Sequence, residues 1–347
     1  MFPLSFPLRI IASRGTPRGW VADPFCGRGT SNFAARLLGW PTIGVDSSPV
    51  AVAIAAAKLA TTTAGRVVAA ARSILAANLD SCAIPQGAFW TWAYHPTTLS
   101  SVCQLREALL RDCSSDTRLV LRAIMLGALH GPRTKHAPSH LSNQSPRTFA
   151  PKPAYAVRFW RKHGLRPAKV DVLEVIRVRA ERFLRAVPDH VEGIIRHGDS
   201  RVGGSFMDVP IGLVVTSPPY YGMRTYVPDQ WLRAWFLGGP SEVQYRGSET
   251  DVRHASPGDF ISDLRLVWQR LAERATSDAR MVVRFGGIND RKADHVQMLK
   301  ESLADSGWRL RTVVPAGDAD SGRRQALQFF RNRGKPKAEF DFHAVVA

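Results

Sequence analysis

The sequence predicts an α/β fold, a doubly wound parallel sheet interrupted by one large, mostly helical insertion. Three observations predict it. Short apolar strands alternate with helical patterns from residue 20 to residue 59; that alternation stops after Thr61 and resumes at Gly193; and glycine- or proline-rich turns stand where two of the strands end.

The elements follow in order. Residues 20–22 read as a buried strand entering the turn that begins at Asp23, and small apolar residues at helical spacing over 32–38 predict a helix that Gly39 ends. Residues 42–45 predict a second strand closing on Asp46, and 49–59 an Ala-rich helix with Pro49 in its permissive first turn. Such a β-α-β-α unit implies parallel strands and a right-handed crossover. Helices are expected at 99–111 and 117–129, followed by a Pro-, Ser- and Arg-rich loop over 131–153. Strands are then expected at 193–196, running on to Asp199, at 211–215 and at 281–285, with helices at 260–274 and 296–306. Residues 308–314 and 326–330 read as closing strands. The expected division is a catalytic domain of residues 1–61 and 190–347, with 62–189 inserted.

Hydrophobic residues make up 45% and charged residues 22% of the 347, the mix of a chain that buries a core. The formal net charge of +18 points to a polyanionic partner, since neutralised phosphates release their counterions. Cys26, Cys82, Cys103 and Cys113 show neither CxxC spacing nor a His pair, so no metal site and no disulfide framework is expected. No run approaches membrane-spanning length, which predicts a cytoplasmic protein with no membrane partner.

Two turns carry chemistry. The first is Asp23-Pro24-Phe25-Cys26-Gly27-Arg28-Gly29-Thr30, whose glycines let backbone approach a ligand while the following helix offers free N–H groups. A dinucleotide fold would place GxGxxG here, and the third glycine is missing. Asp46 stands where an acidic side chain accepts from ribose hydroxyls, with helix capping as its plainer role; Asp199 stands at the next strand end, where it suits either an adenine amino group or a turn.

The second is Thr216-Ser217-Pro218-Pro219-Tyr220, directly after the most apolar strand. An amino group on an aromatic ring attacks poorly, because its lone pair is delocalised, and acceptors that hold both amino protons localise it. The Ser217 hydroxyl and the Pro218 carbonyl suit that task, because prolines fix the carbonyl and have no N–H to compete. Tyr220 adds a face on which a base can stack, with Tyr221, Tyr226 and Trp231 as further pocket candidates.

In this order and spacing, DPFCGRGT, GVD, HGDS and TSPPY resemble the amino-methyltransferases of DNA modification. The resemblance covers residues 1–60 and about 193–331. It implies a Rossmann-like methyltransferase sheet and S-adenosyl-L-methionine as cofactor. Asp23, Pro24, Phe25, Gly27, Gly29 and Thr30 would then form the cofactor loop, with Asp46 on the ribose, Asp199 on the adenine and Ser217 to Tyr220 on the target amine. Phe2-Pro3 or Phe6-Pro7 would be the aromatic segment that also touches the cofactor. Serine at the head of the second loop implies the N4 of cytosine in a flipped-out base, with adenine N6 and an RNA base as the alternatives. Double-stranded DNA is the implied partner, and a cognate restriction endonuclease is left open. A cytosine-C5 enzyme is excluded, since it needs a Pro-Cys nucleophile and no cysteine here follows a proline.

The resemblance assigns target recognition to the insertion, although its place between the second and third motifs departs from the commonest permutations. From Thr117 to Val170 there is no acidic residue. Arg133, Lys135, Arg147, Lys152, Arg158, Arg161 and Lys162 in that block are interleaved with aromatics, which suits a phosphate backbone. A second basic cluster lies between Arg323 and Lys337.

Overall fold

The computed structural model describes residues 2–77, 83–131, 139–143, 152–222, 230–243, 252, 256–287, 293–318 and 338–347. In chain order the elements are α1 (Ser5–Ala12), β1 (Trp20–Asp23), α2 (Thr30–Leu37), β2 (Thr42–Asp46), α3 (Pro49–Leu59), α4 (Ala64–Ala76), α5 (Ala88–Ala93), α6 (Pro96–Arg111), α7 (Asp116–Ala128), α8 (Pro153–Lys162) and α9 (Val172–Phe183). They continue with β3 (Gly193–His197), β4 (Ile211–Thr216), α10 (Trp231–Phe236), α11 (Pro257–Ala272), β5 (Ala275–Gly286), α12 (His295–Leu303), β6 (Trp308–Asp318) and β7 (Ala338–Val346).

The chain divides into two compact units. The first comprises Met1–Ala55, Val191–Thr225 and Ser248–Ala347; the second comprises Ala56–His190 and also Tyr226–Gly247, a stretch that the sequence assigns to the catalytic part.

The first unit is built on a seven-stranded sheet of order β3-β2-β1-β4-β5-β7-β6. Strands β1 to β5 are parallel, and β7 runs antiparallel between β5 and β6. This is a Rossmann-like sheet with one antiparallel strand, β7. β1 and β4 are buried along their whole length, which is why they read as continuous apolar runs rather than alternating ones. The order reverses between β1 and β4, and in open α/β sheets ligands bind outside the carboxyl ends of strands at such a switch point. Both turns singled out by their sequence stand there.

One sheet face packs Phe260, Leu264, Trp268 and Leu271 of α11 and Met298, Leu299 and Leu303 of α12 against β4 and β5. The other packs Phe6 and Ile11 of α1 and Ala34 and Ala35 of α2 against Val21, Leu213 and Val215. Ser256 starts α11 by accepting the Asp259 N–H at 3.1 Å, and Asp294 starts α12 by accepting two N–H groups at 3.0 Å.

Several expectations change. The closing strand predicted at 326–330 falls outside the described residues, and β7 at Ala338–Val346 is a strand the sequence did not suggest. β7 alternates buried and half-buried residues and carries two carboxylates inward, so its polar content hid it. α1 occupies a segment expected only to contact cofactor, and there Phe6 is buried with the Arg284 guanidinium 3.8 Å over its ring. The second unit is helical among its described residues, from α4 through α10. Its core gathers Phe89, Trp90, Tyr94, Trp160, Trp231 and Trp235, with the Tyr94 hydroxyl donating to the Leu129 carbonyl at 2.8 Å.

Candidate active site

At the end of β1 the Asp23 carboxyl is turned into its own loop. It accepts the Phe25 N–H at 3.1 Å and the Thr216 hydroxyl at 2.6 Å, and it is 1% exposed. Burial pushes its pKa up to about 6 against the opposing hydrogen bonds, and the Asp46 charge adds to the rise. Because Thr216 is the last residue of β4, this bond ties the glycine loop to the head of the Ser217–Tyr220 loop. Asp23 thus shapes the loop from inside rather than facing a ligand.

Asp46, at the end of β2, does two jobs with its two oxygens. One accepts the Gly27 N–H at 2.8 Å, and the other accepts the Ser48 N–H at 2.8 Å where α3 begins. The capping role and a place at the loop are therefore both filled. Cys26 N–H donates to the Val45 carbonyl at 3.1 Å, and Gly29 N–H to the Cys26 carbonyl at 2.7 Å.

Gly27 and Gly29 both have positive φ, 52° and 68°, yet they serve different ends. A Cβ on Gly29 would stand 2.8 Å from the Ala55 Cβ, so this glycine lets α2 start against α3. A Cβ on Gly27 would meet only the Phe25 carbonyl oxygen at 3.9 Å, so this one leaves open room at the loop. The residue that precedes α2 is Gly29, which has no side chain to cap the helix that begins at Thr30, so its start suits a ligand that accepts from backbone N–H groups.

From the end of β3, Ser200 donates to the Pro24 carbonyl at 2.6 Å, completing a ring of four strand ends around the loop. Asp199 beside it is held by Arg201, whose Nε and Nη2 lie 2.9 and 2.7 Å from the two carboxylate oxygens. Arg201 Nη1 also reaches buried Asp263 on α11 at 2.7 Å. Burial alone would raise the Asp199 carboxyl; the Arg201 hydrogen bonds and charge outweigh it and hold the pKa below the usual range. Phe25 stands edge-on to Trp268, centroids 6.1 Å apart.

In the second loop Ser217 and Pro219 are half-buried and Pro218 is buried. Tyr220 is only 7% exposed: its hydroxyl donates to buried Glu339 on β7, and its ring stands edge-on to Phe285 at 5.4 Å. Tyr221 is likewise buried, edge-on to Phe260 at 5.5 Å. Tyr220, expected to offer a face to a base, and Tyr221, expected to line the pocket, are both packed in the core, and Tyr220 can bury its ring because its hydroxyl has an acceptor. Thr216, Ser200, Arg201, Asp263 and Glu339 were missed in the sequence. The first two sit inside recognised motifs; Glu339 has no local signal at all.

In the second unit Lys152, Arg158, Arg161 and Lys162 are exposed on or beside α8. No carboxylate pairs with Arg158, Arg161, Lys162 or Arg166 among the described residues. The Arg166 and Arg161 guanidinium groups lie 4.1 and 5.7 Å from the ring centre of Trp92. Tyr226, Arg133, Lys135 and Arg147 lie outside the described residues. Trp231 belongs to the core, edge-on to Phe89 at 4.8 Å, and His95 caps α6. Among the described residues no group of three or more His, Cys, Asp or Glu is placed to hold a metal, and no helix is long and apolar enough to cross a membrane.

Neither a protein-family model nor a curated protein matches the chain. Solved structures similar to it include the rRNA methyltransferase aviRa from Streptomyces viridochromogenes, 13% identical, with 99% of this chain and 85% of that one covered and a TM-score of 0.34. A TehB-like SAM-dependent methyltransferase from Corynebacterium glutamicum is 9% identical over 98% and 87% of the two chains, TM-score 0.35. The glycopeptide N-methyltransferase MtfA, complexed with S-adenosyl-L-methionine, is 10% identical over 98% and 92%, TM-score 0.36.

Proposed function

We propose that the protein is an S-adenosyl-L-methionine-dependent methyltransferase acting on an exocyclic amino group of a DNA base, the N4 of cytosine in a flipped-out nucleotide. The observation that carries this reading is the 2.6 Å bond from Thr216 to Asp23, which ties an amine-holding loop to a glycine loop at the switch point of the sheet. Room beyond Gly27, the start of α2 with a glycine as its cap residue and the Asp46 carboxylate fit a cofactor with a ribose and a charged amino-acid tail. When bound, that cofactor supplies an electrophilic methyl group on a sulfonium.

Pro24, Phe25, Gly27, Gly29 and Thr30 would line the cofactor loop, with Asp23 holding its shape. Asp46 would share its oxygens with the ribose, and Asp199, oriented by Arg201, would accept from the adenine amine. Ser217 and the Pro218 carbonyl would accept the two protons of the target amine, restoring its lone pair for attack. Pro219 stiffens the turn, and Tyr220 anchors it through Glu339. Attack by the target nitrogen moves the donor's positive charge onto that nitrogen, which becomes acidic enough to release one amino proton to water, so no strong base is needed and positioning does most of the work. Flipping a base out of a duplex costs a few kcal/mol, and the exposed basic side chains on α8 suit contact with a phosphate backbone.

The test is to incubate the protein with labelled S-adenosyl-L-methionine and mixed-sequence duplex DNA, digest to nucleosides and identify the methylated one by mass spectrometry. N4-methylcytosine is expected, with Ser217→Ala lowering the rate about tenfold or more by removing one acceptor. N6-methyladenine would keep the chemistry and overturn the base. Label found only in RNA would move the substrate, and no transfer to either would sink the proposal.

A further inference from the structure

The sheet face that carries α1 bears a second charged feature, displaced toward the amino ends of the parallel strands. Side chains alternate along β5, so Arg280, Val282 and Arg284 share this face; on β7 they pair with Val345, His343 and Asp341. Arg284 meets a counterion there: Asp341 accepts from its Nε at 2.7 Å and its Nη2 at 2.8 Å, and both residues are buried. Arg280, four residues earlier, faces a valine instead. Neither it nor Arg311 of β6 pairs with a carboxylate among the described residues, whereas Arg14 at the end of α1 is bound to Asp278 at 3.3 Å.

Arg280, Arg311 and His343 border a cavity of about 260 Å³. Its walls are otherwise largely apolar, with Ile10 from α1, Leu213 from β4, and Val282 and Val345 from the two strands beneath. That volume is near the low end for small-molecule sites. Leu213 pairs with Arg280 and Thr216 with Val283, so the cavity lies about 10 Å along the strands from the proposed active site.

We propose that this cavity binds a small organic anion: a single ring or short acyl body in the apolar floor, with an oxyanion head paired by Arg280 and Arg311. A guanidinium binds carboxylate or phosphate through two parallel N–H donors, and the apolar floor would take the body of the ligand. The site is independent of methyl transfer.

Calorimetric titration of the full chain with phenylacetate, phenyl phosphate, inorganic phosphate and neutral phenylacetamide tests it. The two aromatic anions are expected to bind, the tighter of them identifying the head group, with phenylacetamide and inorganic phosphate at least tenfold weaker. Arg280→Gln combined with Arg311→Gln is expected to weaken the better anion tenfold or more; both residues are exposed, so the fold should persist. Val345→Glu, which puts a carboxylate opposite Arg280, should do the same. Binding by neither aromatic anion, equal binding of the amide, or unchanged affinity in both variants would overturn the proposal.

Discussion

The loop after β1 and the loop after β4 lie side by side and are secured in different ways. The first is shaped from within, carboxylates of Asp23 and Asp46 gripping backbone N–H groups of the loop itself two and nineteen residues away, while the Thr216 and Ser200 hydroxyls brace it from later strands. The second has two prolines for stiffness and is pinned at its far end by Glu339, a residue 119 positions later in the chain. What is held locally can be read from a motif, and what is held at long range cannot.

Substitutions in the first loop should separate its two glycines, and here the largest effect is expected. Gly29→Ala combines a left-handed backbone with a clash against Ala55, and should cost about 4 kcal/mol in urea unfolding. Gly27→Ala has only the backbone term, about 1 kcal/mol, but should weaken S-adenosyl-L-methionine binding more than Gly29→Ala weakens it per kcal/mol of lost stability. Equal stability losses in the two variants would erase the distinction.

Asp23 gives the same loop a pH signature. Its folded pKa of about 6 exceeds the ordinary 3.8, so the folded chain holds a proton that the unfolded chain has released. Stability is therefore present at low pH and lost as pH rises through that window, by about 3 kcal/mol. Asp23→Asn should remove the loss, so its stability relative to the parent should climb between pH 4 and 7 and then level off. A flat difference would show that the carboxyl is not desolvated in solution.

In the second loop Glu339→Ala should leave the buried Tyr220 hydroxyl without this acceptor, costing about 2 kcal/mol. Under the proposed function it should lower kcat while leaving the KM for S-adenosyl-L-methionine nearly unchanged, and Tyr220→Phe in the same background should recover stability but not kcat. A fall in cofactor affinity instead would mean that loss of the Glu339 anchor reaches the glycine loop through the Thr216–Asp23 bond. The smallest effect belongs to α8: each of Arg158→Gln and Lys162→Gln should reduce the slope of log affinity for DNA against log salt by about 1, read by fluorescence anisotropy.

Legibility follows the same division. β1, β2 and β4 were readable because central parallel strands are apolar throughout, and the helix expected from Pro49 to about Leu59 is α3, because Pro49 marks its start and its Ala-rich stretch holds no further proline or glycine. β7 was not, because its pattern makes sense only once Arg284 and Tyr220 are known to need Asp341 and Glu339. Asp23 and Tyr220 were recognised as motif members but given outward-facing roles, since a motif names the residue types and not the side on which each finds its partner. Arg201 stands two residues past Asp199 and was passed over, because an arginine in a basic chain draws no notice until buried Asp263 is seen beyond it.

The insertion of β7 between β5 and β6 bears on how the sheet reaches its correct order. β5 and β6 are consecutive along the chain, so the quickest pairing available to a folding chain is between those two directly. That arrangement would seal Arg284 and the Tyr220 hydroxyl into the protein without the two carboxylates that β7 delivers, and an uncompensated buried charge is among the costliest errors a fold can make. The two acidic residues therefore act as a key: the shortcut stays open to the chain in time but closed in energy until the strand carrying Glu339 and Asp341 has slid into place.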